Sequence, residues 1–426
     1  MKAARFSAPC AFLILVASLV AAADASAMKL VFKDPDYSYQ TLRVIGTAPS
    51  GGADIGEVLA TAGRITEGDD ESWDREWLKT AQRVAKLAED YSAAGHAVSA
   101  KEAFLRASNY YRAAEFFLHS DVHDPRIIEI SRESRSCFLR FAALSGRPVV
   151  RPVRIPYEKT TLPGYLILPD ASRTKRPLLI ITTGFDGTAE ELYFEALPAM
   201  ERGYDCLVFE GPGQGAVIRE QNIPFRPDWE KVVTPVVDFA AAQPEVDPDR
   251  IALEGRSMGG YLAPRAAAFE PRIKACIVDG GIYDFHEVST ARGGPEIEKI
   301  LDDAQASQKM DKTILEKMAT NTRLRWVFND GMWKFGVRTP SEWMRSTRPY
   351  RLRDVVDRIK CPMLVVDSQG DKDAPGQSRK LFEALSGPKQ MILFGGEEGA
   401  EEHCQAGALA LSRESILNWL DDALKK

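Results

Sequence analysis

The sequence predicts an α/β protein in which a mostly parallel sheet is covered by helices on both faces. The main observation is that, after Gly146, short apolar runs alternate with helical stretches, a pattern typical of buried parallel strands. A second observation is the glycine-rich stretch 255–260, which follows one of these runs directly. The third is the stretch 70–146, where apolar residues recur every three or four positions and predict helices ahead of the sheet.

The helices before the sheet are predicted from apolar spacing and from capping residues. One helix face collects Trp73, Trp77, Ala81, Val84, Ala88 and Tyr91. Ser99 and Glu102 form a capping-box pattern that predicts the start of a second helix. Asp124 followed by Pro125 predicts the start of a third. We interpret the aromatic residues of this region as core rather than pocket lining.

The strands are predicted from short apolar runs. These runs are Val149–Ile155, Tyr165–Leu168, Leu178–Thr182, Cys206–Phe209, Ile251–Leu253, Ala275–Val278, Met363–Val366 and Met391–Phe394. More than 80 residues separate the sixth run from the seventh. Much of that segment, roughly 288–349, is predicted to be helical and is rich in Trp, Met and Phe, so we expect it to form a lid over a site.

The first 27 residues are predicted to be a secretory signal peptide. Lys2 and Arg5 precede an apolar run that is too short to span a bilayer comfortably, and small residues follow at 25–27. We therefore expect an exported protein, the alternative being a cytoplasmic protein whose translation starts at Met28. The predicted division is a signal peptide (1–27), a helical domain (28–148), a core in two parts (149–287 and 350–426) and a helical lid insertion (288–349).

Composition restricts the class of partner. The chain has 426 residues, 45% hydrophobic and 27% charged, which is the balance of an ordinary globular protein. A net charge of −6 argues against nucleic acid or an anionic membrane as the main partner. We expect a small-molecule substrate and no stable membrane insertion, while the oligomeric state, including a homodimer, stays open.

The stretch from Gly255 to Gly259 reads G-R-S-M-G and fits the G-x-S-x-G pattern. It lies between a predicted strand and a helix-compatible stretch, as a nucleophile elbow requires. The turn is so tight that side chains at the flanking positions would collide, so glycine is needed there. The pattern predicts that Ser257 is a nucleophile and that the N–H of Met258 points to a developing oxyanion.

A second oxyanion donor should come from the loop after an earlier strand. Thr183-Gly184-Phe185-Asp186-Gly187 ends a strand and precedes a helix-compatible stretch. By position the sequence favours the N–H of Phe185, with an uncertainty of one residue. Two fixed N–H dipoles at such a site contribute a few kcal/mol to transition-state stabilisation.

The acid and the base are predicted from chain order, which in this arrangement runs from serine to acid to histidine. Three acids follow the seventh strand, and the turn at Gly370 favours Asp373, with Asp371 as the alternative. His403 is the only one of the five histidines that comes after these acids. The sequence therefore predicts His403 as the base.

A metal site is the rival interpretation of the acidic stretch around His403. It would need His403 to converge with two or more of the four neighbouring glutamates, at 397, 398, 401 and 402. Positions adjacent in sequence rarely point at one ion, and no second histidine is nearby. We therefore expect neither a metal nor an organic cofactor.

Taken together, these residues resemble the α/β-hydrolase superfamily. The blocks TTGFDGTAEE, GRSMGGYLAPRAAAFEPRIKACIVDGGIYD and EEGAEEHCQAG are similar to the dihydroxypseudooxynicotine hydrolase branch. That branch includes fungal polyketide-shortening hydrolases and is related to fermentation–respiration-switch esterase-like proteins. The resemblance covers roughly residues 30–426 and implies an α/β-hydrolase fold with an N-terminal helical domain and Ser/Asp/His chemistry. The signal peptide departs from the intracellular type of that branch.

Two enzyme functions follow as expectations. One is hydrolysis of a carbon–carbon bond in an aromatic or polyketide-like ketone, which the resemblance implies for several members. The other is a carboxylesterase acting on small or aryl acyl esters. A binding module that kept the fold without the chemistry is a third hypothesis, which the presence of all three triad residue types disfavours.

Overall fold

The structure is a computed structural model that describes residues 30–291, 294 and 296–425. The predicted signal peptide lies outside the described residues. An eight-stranded sheet runs through the centre, with strand order β1-β2-β4-β3-β5-β6-β7-β8. The strands are β1 Val149–Tyr157, β2 Thr160–Leu168, β3 Arg176–Thr182, β4 Asp205–Phe209, β5 Val246–Arg256, β6 Ile273–Asp279, β7 Met363–Ser368 and β8 Lys389–Phe394.

The sheet is mostly parallel, as predicted. β1 pairs antiparallel with β2 and β2 pairs antiparallel with β4, while every other neighbouring pair is parallel. Each of the eight apolar runs lies within one strand, and the central strands are buried along their length. Because β3 to β8 run in one direction, their carboxyl ends meet at one edge of the sheet, where ligands bind in open α/β sheets.

Helices surround the sheet on both faces. Before the sheet lie α1 Pro35–Ile45, α2 Ile55–Ala62, α3 Asp70–Ala93, α4 Ala97–Glu115 and α5 Pro125–Leu144. Between β3 and β6 lie α6 Tyr193–Glu201, α7 Gly215–Gln221, α8 Glu230–Ala241 and α9 Gly259–Ala267. After β6 lie α10 Phe285–Thr290, α11 Ile297–Asp302, α12 Ala304–Met318, α13 Thr322–Lys334, α14 Pro340–Ser346, α15 Gln377–Ala384 and α16 Leu409–Lys425. Among the described residues, no helix is long and apolar enough to cross a membrane.

The helices α3 to α5 form a packed bundle whose core matches the predicted apolar stripe. Trp73 and Trp77 are fully buried, which confirms that these aromatic residues are core. Asp124 accepts a hydrogen bond from the N–H of Arg126 and so caps α5, as predicted. The expected capping box is wrong, because α4 begins two residues before Ser99, after His96, and has no side-chain cap.

The segment between β6 and β7 contributes helices α10 to α14. Their apolar residues pack against the core beneath the carboxyl edge of the sheet, and Phe328 and Trp343 meet edge to face at 5.3 Å. The segment therefore covers the edge at which the predicted site residues lie. The predicted domain boundaries stay predictions.

A buried group of charges joins three parts of the fold. Glu115, at the end of α4, accepts hydrogen bonds from the Nε and Nη2 atoms of Arg219, each at 2.7 Å, and is hydrogen bonded to His119 at 2.8 Å. His119 in turn contacts Asp330 on α13, which accepts a 2.6 Å bond from Lys334. Because every charge here has a partner, the desolvation cost of burial is offset, but removing one partner would leave another charge uncompensated.

We expect Glu115→Gln to destabilise the protein strongly. The change leaves the buried Arg219 guanidinium without its countercharge, which costs about 3–5 kcal/mol in comparable cases. Urea unfolding followed by circular dichroism measures the change in the free energy of unfolding. The matched control is Glu71→Gln: the Glu71 side chain is 64% exposed and pairs with Arg126, so its loss should cost under about 1 kcal/mol. Equal effects of the two changes would contradict the prediction.

Candidate active site

Ser257 lies on a strained turn between β5 and α9, as a nucleophile elbow requires. Its φ of +56° is in the left-handed region, which non-glycine residues rarely occupy. A Cβ at Gly255 would collide with the backbone of Gly259, so glycine is required in the first flanking position. The Ser257 N–H donates to the carbonyl of Asp279 at 2.8 Å, which holds the turn against β6. The hydroxyl is thus presented at the carboxyl edge of the sheet.

The predicted oxyanion donors lie on two loops that approach each other closely. A Cβ at Gly184 would lie 2.7 Å from the Met258 nitrogen and 2.7 Å from the Ser257 Cβ, so glycine allows the loop after β3 to touch the elbow. Within the described residues, the N–H groups of Met258 and Phe185 have no hydrogen-bond acceptor. Two unpaired N–H groups beside a serine are suited to an oxyanion.

His403 is hydrogen bonded to Asp371 rather than to Asp373. The Nδ1 atom of His403 is 2.8 Å from an Asp371 oxygen, and the two side chains are only 10% and 4% exposed. Asp373 is 36% exposed, lies 3.7 Å from the Nε2 atom and pairs with Arg323. The sequence favours Asp373 through the spacing of its turn, but the geometry gives the supporting position to the alternative, Asp371. Asp371 also accepts the N–H of Asp373 at 2.8 Å, so the turn itself orients it.

His403 and Asp371 shift each other's pKa in the directions expected of an ion pair. Burial by itself would lower the pKa of His403, but the charge of Asp371 outweighs it and, with Cys404 and Asp373, holds this pKa well above 6.5. Burial would raise the pKa of Asp371, but the charge of His403 and its hydrogen bond lower it below 3.8. The imidazole is therefore a stronger base than a free histidine.

The turn that carries His403 is held in an unusual conformation. Cys404 and Gln405, which follow it, have φ values of +51° and +48°. The Tyr39 hydroxyl donates to the carbonyl of His403 at 3.1 Å, and Arg256 donates to the carbonyl of Cys404 at 2.8 Å. Strain of this kind persists where surrounding groups fix it, so these contacts hold the imidazole in place.

Helix α1 contacts three separate parts of the site from one face. Asp36, Tyr39 and Arg43 are spaced three and four residues apart and so lie together on the helix surface. Arg43 pairs with Asp186, next to the oxyanion loop residue Phe185. Asp36 contacts Arg323 at 3.2 Å, and Arg323 also pairs with Asp373. The helical region before the sheet is therefore part of the site.

A large cavity of about 710 Å³ opens over Ser257 and His403. Its walls are mainly apolar and include aromatic residues from all parts of the chain: Tyr39, Phe116, Phe117, Phe185, Phe285, Trp326, Phe328 and Trp343. Phe116 and Phe117 come from the helical region whose aromatic residues are predicted from the sequence to be core rather than pocket lining. Among the four glutamates before His403, Glu402 lines the cavity. The cavity has the size and the lining of a binding site for a drug-sized ligand.

One cluster of side chains in the site has possible ligand atoms close enough together to hold a metal ion. Atoms of Asp371, Asp373 and His403 all lie within 4.8 Å of one another. The same atoms are already engaged, since Asp371 bonds His403 and Asp373 pairs with the Arg323 guanidinium. A cation at this place would face the positive charge of Arg323, so the arrangement suits a hydrogen-bonded base better than a metal.

Sequence reasoning missed several site residues because no local pattern marks them. Tyr39, Arg43, Arg256 and Arg323 are single polar residues on helices or in the elbow, and only folding brings them to the same edge. The spacing of Asp36, Tyr39 and Arg43 on one face was the available signal. It could not indicate which surface that face meets.

The fold and this site define the class of protein: an enzyme of the α/β-hydrolase type. A family model of X-Pro dipeptidyl-peptidases (S15 family) matches residues 159–397. Hydrolase LUC6 from Fusarium sp is 38% identical over 416 residues, which cover 93% of this chain and 98% of that protein. The 20-hydroxy-prefusarin hydrolase FUS2 from Gibberella moniliformis is 38% identical over 414 residues, covering 92% and 98%.

The chain belongs to the X-Pro dipeptidyl-peptidase (S15) family of α/β hydrolases. Its structure is similar to that of the 2,6-dihydroxy-pseudo-oxynicotine hydrolase, with a TM-score of 0.70 and 22% identity, covering 90% of this chain and 95% of the other. The resemblance to that branch, expected from the sequence blocks, is confirmed. The relatives are hydrolases, so an enzyme rather than a binding module is the correct class.

We expect Asp371→Asn to lower the pKa of His403 more than Asp373→Asn does. Asp371 is the main cause of the raised pKa, and without its charge the effect of burial dominates and favours the neutral imidazole. NMR titration of the His403 ring measures both shifts. In the unchanged protein, the stabilisation due to protonated His403 is complete below pH 6.5 and is lost as the pH rises through the folded-state pKa. A larger shift of the His403 pKa in Asp373→Asn than in Asp371→Asn would contradict the pairing of His403 with Asp371.

Proposed function

We propose that this protein is a serine hydrolase that acts through Ser257, His403 and Asp371 and forms an acyl-enzyme on a bulky carbonyl substrate. One observation carries the proposal: a strained serine and a buried His–Asp pair line the same large, mainly apolar cavity. The assignment replaces Asp373 by Asp371 as the acid. It keeps Ser257 and His403 as nucleophile and base.

In the proposed reaction, His403 takes the proton of the Ser257 hydroxyl as its oxygen attacks the substrate carbonyl. Asp371 holds the imidazole in the tautomer that presents Nε2 and stabilises the cation that forms. The N–H groups of Met258 and Phe185 hold the oxyanion. As the intermediate collapses, His403 gives the proton to the departing alkoxide or stabilised carbanion, and water then hydrolyses the acyl-enzyme. This chemistry uses no metal and no organic cofactor.

In the proposed reaction, the hydrogen bond between Ser257 and His403 forms when the substrate binds. Among the described residues, the Ser257 hydroxyl has no hydrogen-bond partner, while the Nε2 atom of His403 lies 3.5 Å from the Cys404 sulfur. Hydrogen bonds at catalytic sites commonly shorten when the substrate is bound. The raised pKa of His403 makes it an effective base once that contact forms.

The substrate class we propose is an aromatic or polyketide-like ketone that is cleaved at a carbon–carbon bond. The aromatic wall of the cavity favours a large, flat and apolar molecule, because such surfaces bury well against rings. A relative of 38% identity is named as a hydrolase of 20-hydroxy-prefusarin, so an organic metabolite of that kind is a fitting model. The alternative is a carboxylesterase that acts on aryl acyl esters, since the same site would attack either carbonyl.

We expect Ser257→Ala and His403→Ala to abolish turnover while the circular dichroism spectrum stays unchanged. Asp371→Asn should reduce kcat by about 10⁴-fold, as loss of the supporting acid does in other triads. Asp373→Asn is the matched control and should keep kcat within about tenfold, because Asp373 pairs with Arg323 instead. A fluorophosphonate probe should label the wild type at Ser257. Full activity in Asp371→Asn together with loss in Asp373→Asn would reverse the acid assignment.

The bond that is cleaved can be tested by assaying an aryl acetate and an aromatic 1,3-diketone side by side. If the proposed carbon–carbon hydrolysis is correct, the diketone is cleaved to a carboxylic acid and a ketone, and Ser257→Ala removes that activity. For both substrates kcat/KM should rise with pH through the pKa of His403, since the base acts in its neutral form. Hydrolysis of the ester alone would favour the carboxylesterase alternative.

A further inference from the structure

A second, smaller chamber adjoins Ser257. Its volume is about 70 Å³, a tenth of the main cavity. The two spaces share the lining residues Tyr39, Arg43, Asp186, Ser257 and His403. Ser257 and His403 therefore border both the large apolar cavity and this chamber.

The chamber differs from the main cavity in chemistry. Beside apolar residues such as Leu192 and Phe194, it is lined by hydroxyl and charged side chains: Thr47, Thr183, Asp186, Glu191, Glu195, Arg43 and Arg256. The charges are paired, since Arg43 bonds Asp186 and Glu191 while Arg256 bonds Glu195. A space of this size has room for about two to five waters, each of which needs polar partners such as these. At about 70 Å³, it is too small for the body of a bulky substrate.

Two residues at or just before the start of α16 also line the chamber. Gly407 is exposed and Leu409 is half-buried, so the lining of the chamber includes residues that reach the protein surface. Neither residue lines the main cavity.

We propose that this chamber holds and supplies the water that hydrolyses the acyl-enzyme; the inference rests on the serine mechanism above. A water from the chamber adds its oxygen to the acyl carbon on Ser257, and His403 takes one proton from that water. The bond between the acyl carbon and the Ser257 oxygen then breaks, and His403 returns the proton to the serine. The products are the carboxylic acid and free Ser257, with water as the co-reactant.

The chamber explains how hydrolysis proceeds while the acyl group covers the serine from the apolar side. An acyl group packed against aromatic walls excludes water there, which protects the first step but would stall the second. Delivery from a separate space removes this conflict. Tyr39 and Arg43, which line both spaces, then act as positioning residues at the boundary.

The test uses an aryl ester with 1-butanol as a competing acceptor, which is too large for the chamber and must enter by the main cavity. Leu409→Trp adds bulk to the lining of the chamber, and we expect the ratio of butyl ester to acid to rise about fivefold or more. The initial burst of phenol, which measures acylation of Ser257, should stay unchanged. Leu409→Ala enlarges the chamber at the same half-buried position and should shift the ratio the other way.

The matched control is Leu411→Trp, a half-buried leucine on the same helix that does not line the chamber. It should leave the product ratio at the wild-type value. An unchanged ratio in both Leu409 variants with a normal burst would overturn the chamber's role and leave the serine mechanism standing. So would an equal shift in Leu411→Trp. A wild-type enzyme that forms no acyl-enzyme on Ser257 would instead overturn the proposed function itself.

Discussion

The parallel direction of β3 to β8 is the constraint on which the whole site depends. It brings the carboxyl ends of these strands to one edge, so the loops that follow β3, β5, β7 and β8 meet there although they are far apart in the chain. Those loops carry Phe185, Ser257, Asp371 and His403 respectively. The close approach of Gly184 to the elbow shows how little space separates them. Any side chain larger than hydrogen at that glycine would push the oxyanion loop away from the serine.

Paired charges hold the outer layers onto this edge. Arg43 on α1 reaches Asp186 beside the oxyanion loop, and Arg323 on α13 reaches Asp373 beside the acid. Deeper, Glu115 joins α4 to α7, and His119 extends the contact to α13. Such pairs add little net stability compared with apolar packing, but breaking one is costly. They therefore fix where the helical region and the segment after β6 sit, and that position gives the cavity its shape.

The chemistry of the site follows from two environments that meet at one serine. In the proposed mechanism, the apolar cavity binds the body of the substrate and keeps water from the first step, and the small chamber supplies water for the second. His403 lines both spaces, and its pKa is raised by the buried Asp371, which burial alone would not do. The strained turn at Cys404 and Gln405 is held by contacts from α1 and from the elbow. Each proposed catalytic group is thus fixed by a part of the chain remote from it.

The sequence by itself determined the fold class, the eight strands, the elbow serine and the histidine. These follow from local periodicity, from glycines that a tight turn requires, and from chain order, which left one histidine after the acids. It did not determine the acid, because Asp371 and Asp373 are two residues apart and their spacing from Gly370 does not show which one reaches His403. Only the tertiary structure decided that, by burying Asp371 against the imidazole and turning Asp373 toward Arg323. The role of α1 was also decided there, because an amphipathic face shows that it will be covered but not by what.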